Sequence, residues 1–360
     1  MHTAKRLEVL QSLLKNNSFD AFLVTDPINL YYLLDVELSS GQLLITPEQV
    51  ILLVDGRYFD QCVQKVAGTV LLSTENSLAA VFVHKIPKVR ILGFEGDYVT
   101  YQGYLLLAKE CEIAGVCLIS QPDLVSNLRK IKDSHEQERM KAAADLGSRG
   151  FDFALQQLSA GITEEEVAKR LEIFWLQNGG NGLAFAPIIA FGANSAMPHY
   201  RAGKAQLRSG DIVLIDIGVT LQRYHSDMTR VVFFGEPAEE LKQIYQLVLD
   251  AHQAALEICR PGTRIGDLDR AARSVIALAG YGQRFLHSLG HGIGLQVHEA
   301  PTLRNKPPMA DEILRARMCI TIEPGIYLPG QGGVRLEDTI IITQDGCESL
   351  TKRPFDPWIL

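Results

Sequence analysis

Residues 211–235 read DIVLIDIGVTLQRYHSDMTRVVFFG and hold the pattern that decides the fold. The two ends are apolar and rich in β-branched residues, and the middle is polar, which predicts two antiparallel strands joined by a turn. If the chain folds back near Leu221–Gln222, Asp216 lies directly opposite Asp227. Directly opposed side chains have Cβ atoms about 4.5–5.5 Å apart. We therefore expect this hairpin to hold two carboxylates side by side among apolar residues.

A second hairpin is predicted around PGQGG (329–333), which is typical turn sequence. Reflection about Gly330 places Glu323 opposite Glu337. Arg335 lies on the same strand face as Glu337, because side chains alternate along a strand. The second hairpin is thus expected to bring two more acids together, beside one arginine.

The stretch LGHGIGLQVHE (289–299) carries two histidines, His291 and His298, at a spacing that would place them on one face of a helix. Three glycines lie between positions 290 and 294, and each costs about 1 kcal/mol in a helix interior. A helix is therefore not expected here. Glycines so placed let the backbone approach another group closely, and His291 becomes a candidate ligand.

Four carboxylates and one imidazole in apolar surroundings need positive charge. Each acid alone is typical of a surface or a turn, and a single opposed pair also fits a proton-sharing dyad. Two opposed pairs favour a metal reading, because buried carboxylates are costly unless they are paired or bound to a cation. The set balances two divalent ions with room for a bridging hydroxide, and its oxygen-rich ligands favour Mn²⁺, with Co²⁺, Fe²⁺ or Zn²⁺ as alternatives.

The chain organisation predicts two domains. Residues 1–125 alternate between helical and strand patterns, which indicates an α/β unit, and 126–134 is expected to be a linker. Residues 135–360 combine helices with antiparallel strands, which indicates an α+β domain. The expected elements are helices at 3–16, 100–112, 135–158, 163–180, 238–258 and 266–279, and strands at 21–25, 69–73, 90–96, 115–119, 211–235, 319–328 and 334–343. Residues 42–55 are expected to form two strands around Pro47–Gln49.

Composition excludes several classes of protein. The 360 residues carry a net charge of −7 and no basic run suited to nucleic acid. No apolar run is long enough to predict a membrane span. Six scattered cysteines without a C-x-x-C pair indicate reduced thiols in a cytoplasmic protein. HEAPT (298–302) lacks the second histidine of an H-E-x-x-H zinc helix, and no P-loop, G-x-S-x-G or G-x-G-x-x-G motif is present.

Taken together, these motifs resemble the pita-bread metallopeptidase family, which includes methionine aminopeptidase, aminopeptidase P and prolidase. The matched pieces run through the second half of the chain in the family's order: PHY (198–200), DIG (216–218), SDMTR (226–230), HSLGHGIGLQVHE (287–299), TIEPGIY (321–327) and GGVRLEDT (332–339). The resemblance implies a C-terminal pita-bread domain preceded by a smaller, creatinase-like α/β domain.

The resemblance also implies roles for individual residues. Asp216, Asp227, His291, Glu323 and Glu337 match the ligands of two metal ions. Glu323 further matches the group that shuttles a proton during catalysis. His298 and His199 match histidines that contact the scissile bond, and His287 and Arg335 match substrate-binding or supporting groups of the proline-specific branch. The family relationship also implies a homodimer acting on small peptides.

Proline specificity is the expected activity, because methionine aminopeptidases generally lack a first domain of this kind. The expected reaction is removal of the N-terminal residue from peptides with proline in second position, by attack of a metal-bridging hydroxide. A prolidase restricted to Xaa-Pro dipeptides is the alternative, with Arg335 or His298 binding the proline carboxylate. A methionine aminopeptidase-like enzyme, a non-catalytic peptide-binding relative and a metal-free hydrolase like creatinase are further alternatives.

Two features qualify the resemblance. Arg317 stands where the family usually has glycine, so we expect an altered turn there. DGRYF (55–59) resembles a motif of the first domain in bacterial aminopeptidase P relatives. A salt bridge is the expected role of Arg57.

Overall fold

A computed structural model of the protein describes residues 2–66, 70–74 and 77–355. The chain divides into two compact units, Met1–Arg129 and Lys130–Leu360. The division falls within the segment 126–134, of which residues up to Arg129 belong to a short helix that starts at Leu124.

The first unit is built on one mixed sheet. Its strands lie in the order β4-β3-β2-β1-β5-β6; β2 pairs antiparallel with both β1 and β3, and the remaining pairs are parallel. The strands are β1 Ala21–Val24, β2 Gln42–Ile45, β3 Val50–Leu53, β4 Val70–Ser73, β5 Ile91–Phe94 and β6 Cys117–Ser120. The helices are α1 His2–Leu14, α2 Pro27–Leu34, α3 Phe59–Lys65, α4 Leu78–His84, α5 Tyr101–Ala114 and α6 Leu124–Arg129.

Side-chain caps mark where two of these helices begin. Asp26 accepts a hydrogen bond from the backbone N–H of Ile28 at the start of α2, and Thr100 accepts one from Gly103 at the start of α5. Gly115 ends α5 with φ 68°, a left-handed conformation that glycine adopts without a steric penalty. Buried residues of α4 and α5 pack against the apolar sheet, so the unit has its own core.

The second unit is organised around the hairpin that the sequence analysis singled out. Its helices are α7 Ser134–Gln157, α8 Glu164–Gln177, α9 Glu239–Glu257 and α10 Ile265–Leu278. Its strands are β7 Gly182–Leu183, β8 Ile188–Phe191, β9 Asp211–Ile217, β10 Val219–Leu221, β11 Tyr224–His225, β12 Met228–Phe234, β13 Gly290–Gly292, β14 Glu299–Leu303, β15 Cys319–Ile322, β16 Gly325–Leu328, β17 Gly332–Arg335, β18 Asp338–Ile342 and β19 Cys347–Ser349.

The sheet β12-β9-β8 is covered by helices on both faces. Leu214 and Phe233 pack with α9 and α10, whereas Val213 and Ile215 pack with α7 and α8. Burial on both faces explains why residues 212–215 and 231–234 are continuously apolar instead of alternating. The other sheets run β11-β10-β7, β14-β13-β15-β18-β19 and β16-β17.

Close packing fixes α7 against α8. Trp175 of α8 is fully buried, and its indole Nε1 donates to the carbonyl of Leu146 at 3.1 Å. A Cβ on Gly150 of α7 would lie 2.3 Å from that same nitrogen, so only glycine fits there. The predicted capping box of α8 is present: Thr163 accepts from the N–H of Glu166, and the Glu166 side chain accepts from the N–H of Thr163.

The long helices and the main strands were predicted from sequence, and the two strands expected within 42–55 are present as β2 and β3. Residue 69 of the expected strand at 69–73 lies outside the described residues. The elements that the sequence analysis missed are short: α2, α3, α4, α6, β7, β8, β13, β14 and β19. In the part of the chain that the structure describes, no helix combines the length and the apolar composition that a bilayer crossing requires.

Candidate metal centre and substrate pocket

The first hairpin has a different register from the one predicted. Gln222 and Arg223 form the turn with φ of 49° and 73°, and Leu221 pairs with Tyr224. Asp216 therefore lies opposite Thr229, and the expected pairing of Asp216 with Asp227 is wrong by two residues. Tight hairpin turns of this type require positive φ at both central residues. The sequence has no glycine at these positions that would have indicated the turn. A shift of two residues preserves the strand face, so Asp227 still points toward the face that Asp216 occupies.

The second hairpin keeps the predicted register. Gly325 pairs with Arg335 in β16–β17, and Ile322 pairs with Asp338 in β15–β18. Glu323 and Glu337 lie at the interruption between these two ladders. Glu337 instead bridges to Thr229 of β12, which donates from Oγ1 to Oε2 of Glu337 at 2.6 Å. This bridge joins the two hairpins close to the carboxylates that they carry.

Glycines allow His291 to lie deep among the strands. A Cβ on Gly290 would lie 2.0 Å from the carbonyl oxygen of Thr321, and one on Gly292 would lie 2.2 Å from that of Ala300. The backbone N–H of His291 donates to Oγ1 of Thr321 at 3.1 Å, and Nδ1 lies 3.0 Å from the carbonyl oxygen of Gly292. With Nδ1 as the donor, Nε2 presents its lone pair to the carboxylates.

The predicted ligands converge. Asp227, His291 and Glu337 are buried, and one ligand atom of each lies within 4.8 Å of the other two. His291 Nε2 lies 3.7 Å from Oδ2 of Asp227 and 3.5 Å from Oε1 of Glu323. Asp216 reaches the same cavity, and its buried Oδ1 has no hydrogen-bond partner among the described residues.

The electrostatics of the cluster fit bound cations. Burial and then the charges of Glu337 and Asp216 raise the pKa of Asp227 well above its usual range. Burial and then the charge of Asp216 raise the pKa of Glu323 to about 8. Burial and then the proximity of His298 lower the pKa of His291 to about 4, which keeps the imidazole neutral. Crowded acids, a neutral imidazole and an orphaned carboxylate oxygen form a donor set that divalent ions satisfy.

Arg335 ties the second hairpin to the first. Its Nη2 donates to Oδ2 of Asp216, and its Nη1 donates to the hydroxyl of Tyr327 at 2.7 Å. His287 Nε2 lies 2.8 Å from that hydroxyl, and burial lowers the pKa of His287 to about 4. His287 and Arg335 thus support one wall of the site through Tyr327, which the sequence analysis did not select.

A cavity of about 760 Å³ lies over the ligands. His199 and His298 line it, as expected, and the ring centroids of His298 and His291 are 4.2 Å apart. The remaining candidates, Asp216, Asp227, His287, Glu323, Arg335 and Glu337, line the same cavity. Its size suits a small peptide.

Four further residues were not anticipated. Arg201 lines the cavity, and Thr229, Tyr327 and the buried Glu164 form hydrogen bonds to residues that line it. Thr229 and Tyr327 lie within matched motifs and Arg201 lies next to one, which is the only sequence signal that pointed to them. Arg57 forms a 2.6 Å salt bridge with Asp55 in the first unit, as expected.

Comparison with known proteins defines the class. Residues 138–344 match Metallopeptidase family M24, and residues 6–131 match the Creatinase/Prolidase N-terminal domain. The chain belongs to metallopeptidase family M24, and it joins a creatinase-type N-terminal domain to a pita-bread catalytic domain. The resemblance and the fold class inferred from sequence are confirmed. Membership implies divalent metal ions as cofactors.

Individual relatives cover nearly the whole chain. The Xaa-Pro dipeptidase of Pyrococcus furiosus is 34% identical over 97% of this chain and 98% of its own length. A solved structure of an Xaa-Pro dipeptidase from Bacillus anthracis is 34% identical, covers 99% of this chain and 100% of its own, and has a TM-score of 0.93. A solved X-Pro aminopeptidase from Thermotoga maritima is 33% identical, covers 98% and 100%, and has a TM-score of 0.87.

Proposed function

We propose that the protein hydrolyses the peptide bond that precedes proline, and that Xaa-Pro dipeptides are its preferred substrates. The observation that carries the proposal is the convergence of Asp216, Asp227, His291, Glu323 and Glu337 on one peptide-sized cavity. The names of the relatives from Pyrococcus furiosus and Bacillus anthracis support the restriction to dipeptides. The dipeptidase, which the sequence analysis held as the alternative, therefore becomes the first candidate.

The five ligand candidates would hold two divalent ions. When bound, such ions polarise the scissile carbonyl and lower the pKa of water. Glu323 borders the cavity close to His291, so its Oε1 is placed to take a proton from the attacking water and to return it to the proline nitrogen. The proline nitrogen needs that proton because it is a poor leaving group without it.

The two histidines on the cavity wall would orient the substrate. His298 lies against His291, and His199 lies on the loop that follows Pro198. Both rings can donate a hydrogen bond to the carbonyl oxygen on which negative charge develops. The wall of Tyr327, His287 and Arg335 holds Asp216 in its orientation and thereby fixes one edge of the site.

An Xaa-Pro aminopeptidase that accepts longer peptides is the second candidate. It is favoured by the relative from Thermotoga maritima, which bears that name and covers the whole length of both chains to within a few residues. The same chemistry serves both activities. They differ only in whether the cavity accepts a chain beyond proline.

The proposed setting follows from composition and family. We infer a homodimer, which is the commonest oligomer of soluble proteins, acting on small peptides without nucleic acid or membrane as a partner. Mn²⁺ is the proposed metal, because the ligand set is rich in carboxylates. The six cysteines are free thiols, which supports a cytoplasmic location.

A panel of peptides tests the proposal. Purified protein is chelated, reloaded with Mn²⁺, Co²⁺ or Zn²⁺, and assayed on Ala-Pro, Ala-Pro-Ala and Ala-Ala. We expect Ala-Pro to be cleaved with the highest kcat/KM, Ala-Ala not to be cleaved, and activity to vanish on chelation. Equal cleavage of Ala-Pro-Ala would support the aminopeptidase, and hydrolysis that survives chelation would contradict both candidates.

A further inference from the structure

The charged groups that line the cavity are the carboxylates of Asp216, Asp227, Glu299, Glu323 and Glu337 and the guanidinium groups of Arg201 and Arg335. Glu299 is already paired, because Lys132 donates to its Oε1 at 2.8 Å. The other four carboxylates are the proposed metal ligands, whose charge two divalent ions would balance. A dipeptide brings a further carboxylate of its own. Its binding therefore calls for a cation that no protein group already uses.

Arg335 is not that cation. It is 3% exposed, and its guanidinium is engaged by Asp216, by the hydroxyl of Tyr327 and by Oγ1 of Thr229 at 3.3 Å. A fourth partner, the carbonyl oxygen of Pro198, lies 3.4 Å from Nη1. Arg335 was expected from the sequence as a possible binder of the proline carboxylate, but these contacts already engage four of its five N–H donors.

Arg201 has the opposite character. Its side chain is exposed and lines the cavity. Within residues 2–66, 70–74 and 77–355 it forms no hydrogen bond or ion pair, so its five N–H donors face solvent and the cavity. A guanidinium matches a carboxylate with two parallel hydrogen bonds.

The backbone on both sides of Arg201 is held in place. Oε2 of the fully buried Glu164 accepts from the hydroxyl of Tyr200 at 2.7 Å and from the N–H of Gly203 at 3.0 Å. Oε1 of Glu164 accepts from the N–H of Phe191 at 2.8 Å and from Nδ2 of Asn194 at 2.9 Å. The loop is thus fixed next to Arg201 while the arginine side chain itself stays unpaired, as in a preformed binding site.

We propose that Arg201 binds the C-terminal carboxylate of the dipeptide and so determines specificity for substrates that end at proline. This inference rests on the proposed function and names the residue that selects dipeptides.

Paired substrates test the inference by turnover. Kinetics are measured for wild type, R201Q, R201K and R208Q with Ala-Pro and with alanyl-prolinamide, in which the carboxylate is replaced by a neutral amide. Arg208 is an exposed arginine a few residues further along the chain that does not line the cavity, so R208Q is the matched control. We expect R201Q to raise KM for Ala-Pro by about tenfold or more, with kcat changed less than about threefold. We expect the KM of R201K for Ala-Pro to lie between those of wild type and R201Q. With alanyl-prolinamide, we expect the KM to change little in any variant.

Binding separates this inference from the proposed function. The Kd of proline and of prolinamide, which both lack the bond that precedes proline and so are not cleaved, is measured by calorimetry on Mn²⁺-loaded wild type and R201Q. A preference for proline that R201Q abolishes supports the role of Arg201, whether or not the wild type turns over dipeptides. Equal Kd values for the two ligands, or a preference that survives R201Q, overturns it. Absence of turnover by wild type on all proline peptides refutes the proposed function alone.

Discussion

Arg335 donates a hydrogen bond to Oδ2 of Asp216, and this contact joins the hairpin β16–β17 to the hairpin that contains β9 and β12. It engages one oxygen of the carboxylate and leaves the other, Oδ1, buried without a hydrogen-bond partner in the described residues. A buried acceptor without a partner is costly. The arrangement is understandable if Oδ1 is a metal ligand whose partner is the ion.

The cluster of acids is expected to destabilise the protein when metal is absent. D227N removes a carboxylate whose pKa is raised by burial and then by the charges of Glu337 and Asp216. We expect the metal-free variant to have a higher free energy of unfolding than metal-free wild type, because the folded state no longer holds this buried, repelled charge. Urea unfolding at pH 8 in the presence of chelator measures the difference.

The same variant should respond differently to metal. Mn²⁺ is expected to raise the Tm of wild type by more than that of D227N, because a ligand stabilises the folded state that binds it. D227N should also lose nearly all peptidase activity. A metal-free D227N protein that is less stable than wild type would show that the acids do not repel one another as the structure indicates.

Glu164 is expected to contribute far more to the free energy of unfolding than an acid in the first turn of a helix usually does. E164A removes the acceptor of four hydrogen bonds, so we expect the free energy of unfolding to fall by about 3 kcal/mol or more. E164Q keeps one carbonyl oxygen and should lose less. E165Q is the control, because the ion pair of Glu165 with Lys169 is on the surface and contributes less than about 1 kcal/mol. Similar losses for E164A and E165Q would contradict the role assigned to Glu164.

His252 is expected to make stability depend on pH. It is fully buried in α9, neither ring nitrogen has a hydrogen-bond partner among the described residues, and the charged groups facing it are Asp338 and Arg230. Burial lowers its pKa from 6.5 to about 4. Between those values the unfolded state binds more protons, so the contribution of His252 is complete above pH 6.5 and is lost as the pH falls toward 4.

The size of this effect follows from the shift. The pKa difference corresponds to about 3 kcal/mol, so the free energy of unfolding of H252L should fall less than that of wild type, by up to this amount, between pH 7 and pH 4. Urea unfolding at a series of pH values measures both curves. Parallel curves for the two proteins would mean that His252 does not titrate on unfolding.

Arg317 is expected to cost stability. Its φ is 71°, in the left-handed region, and its side chain is exposed, which accounts for the glycine that the family usually has there. R317G should raise the free energy of unfolding by up to about 1 kcal/mol, since relief of the left-handed strain exceeds the added flexibility of the unfolded chain. R315G, at an exposed position without positive φ, should lower it by a similar amount. Thermal unfolding of the two variants gives the comparison.

Much of the site was predictable because its ligands lie in patterned strands or directly beside them. The turn at Gly330 has φ 79°, so its glycine correctly fixed the register of the second hairpin. In the first turn, Gln222 and Arg223 adopt positive φ, although neither residue type favours it. The position of the turn was therefore not evident from the sequence, and the predicted register was wrong. The prediction still selected the right acids, because an error of two residues leaves the strand face unchanged.

The remaining features depend on contacts between distant residues. Glu164 reads as an ordinary acid of a first helical turn, and only folding brings the N–H of Phe191 and the hydroxyl of Tyr200 to it. Short helices such as α2 carry no long amphipathic period, so their apolar residues read equally well as strand. The unpaired state of Arg201 likewise follows from what surrounds it and not from its neighbours in sequence.

The anchoring of the Arg201 loop by a single buried carboxylate has a consequence for divergence within this fold. The proposed metal ligands lie in or beside paired strands. Arg201, the proposed determinant of substrate length, lies instead on a loop that is held by the hydrogen bonds of Tyr200 and Gly203 to Glu164. Substitution of Arg201, or replacement of this loop, therefore offers a route to new peptide preferences that leaves the metal ligands unchanged.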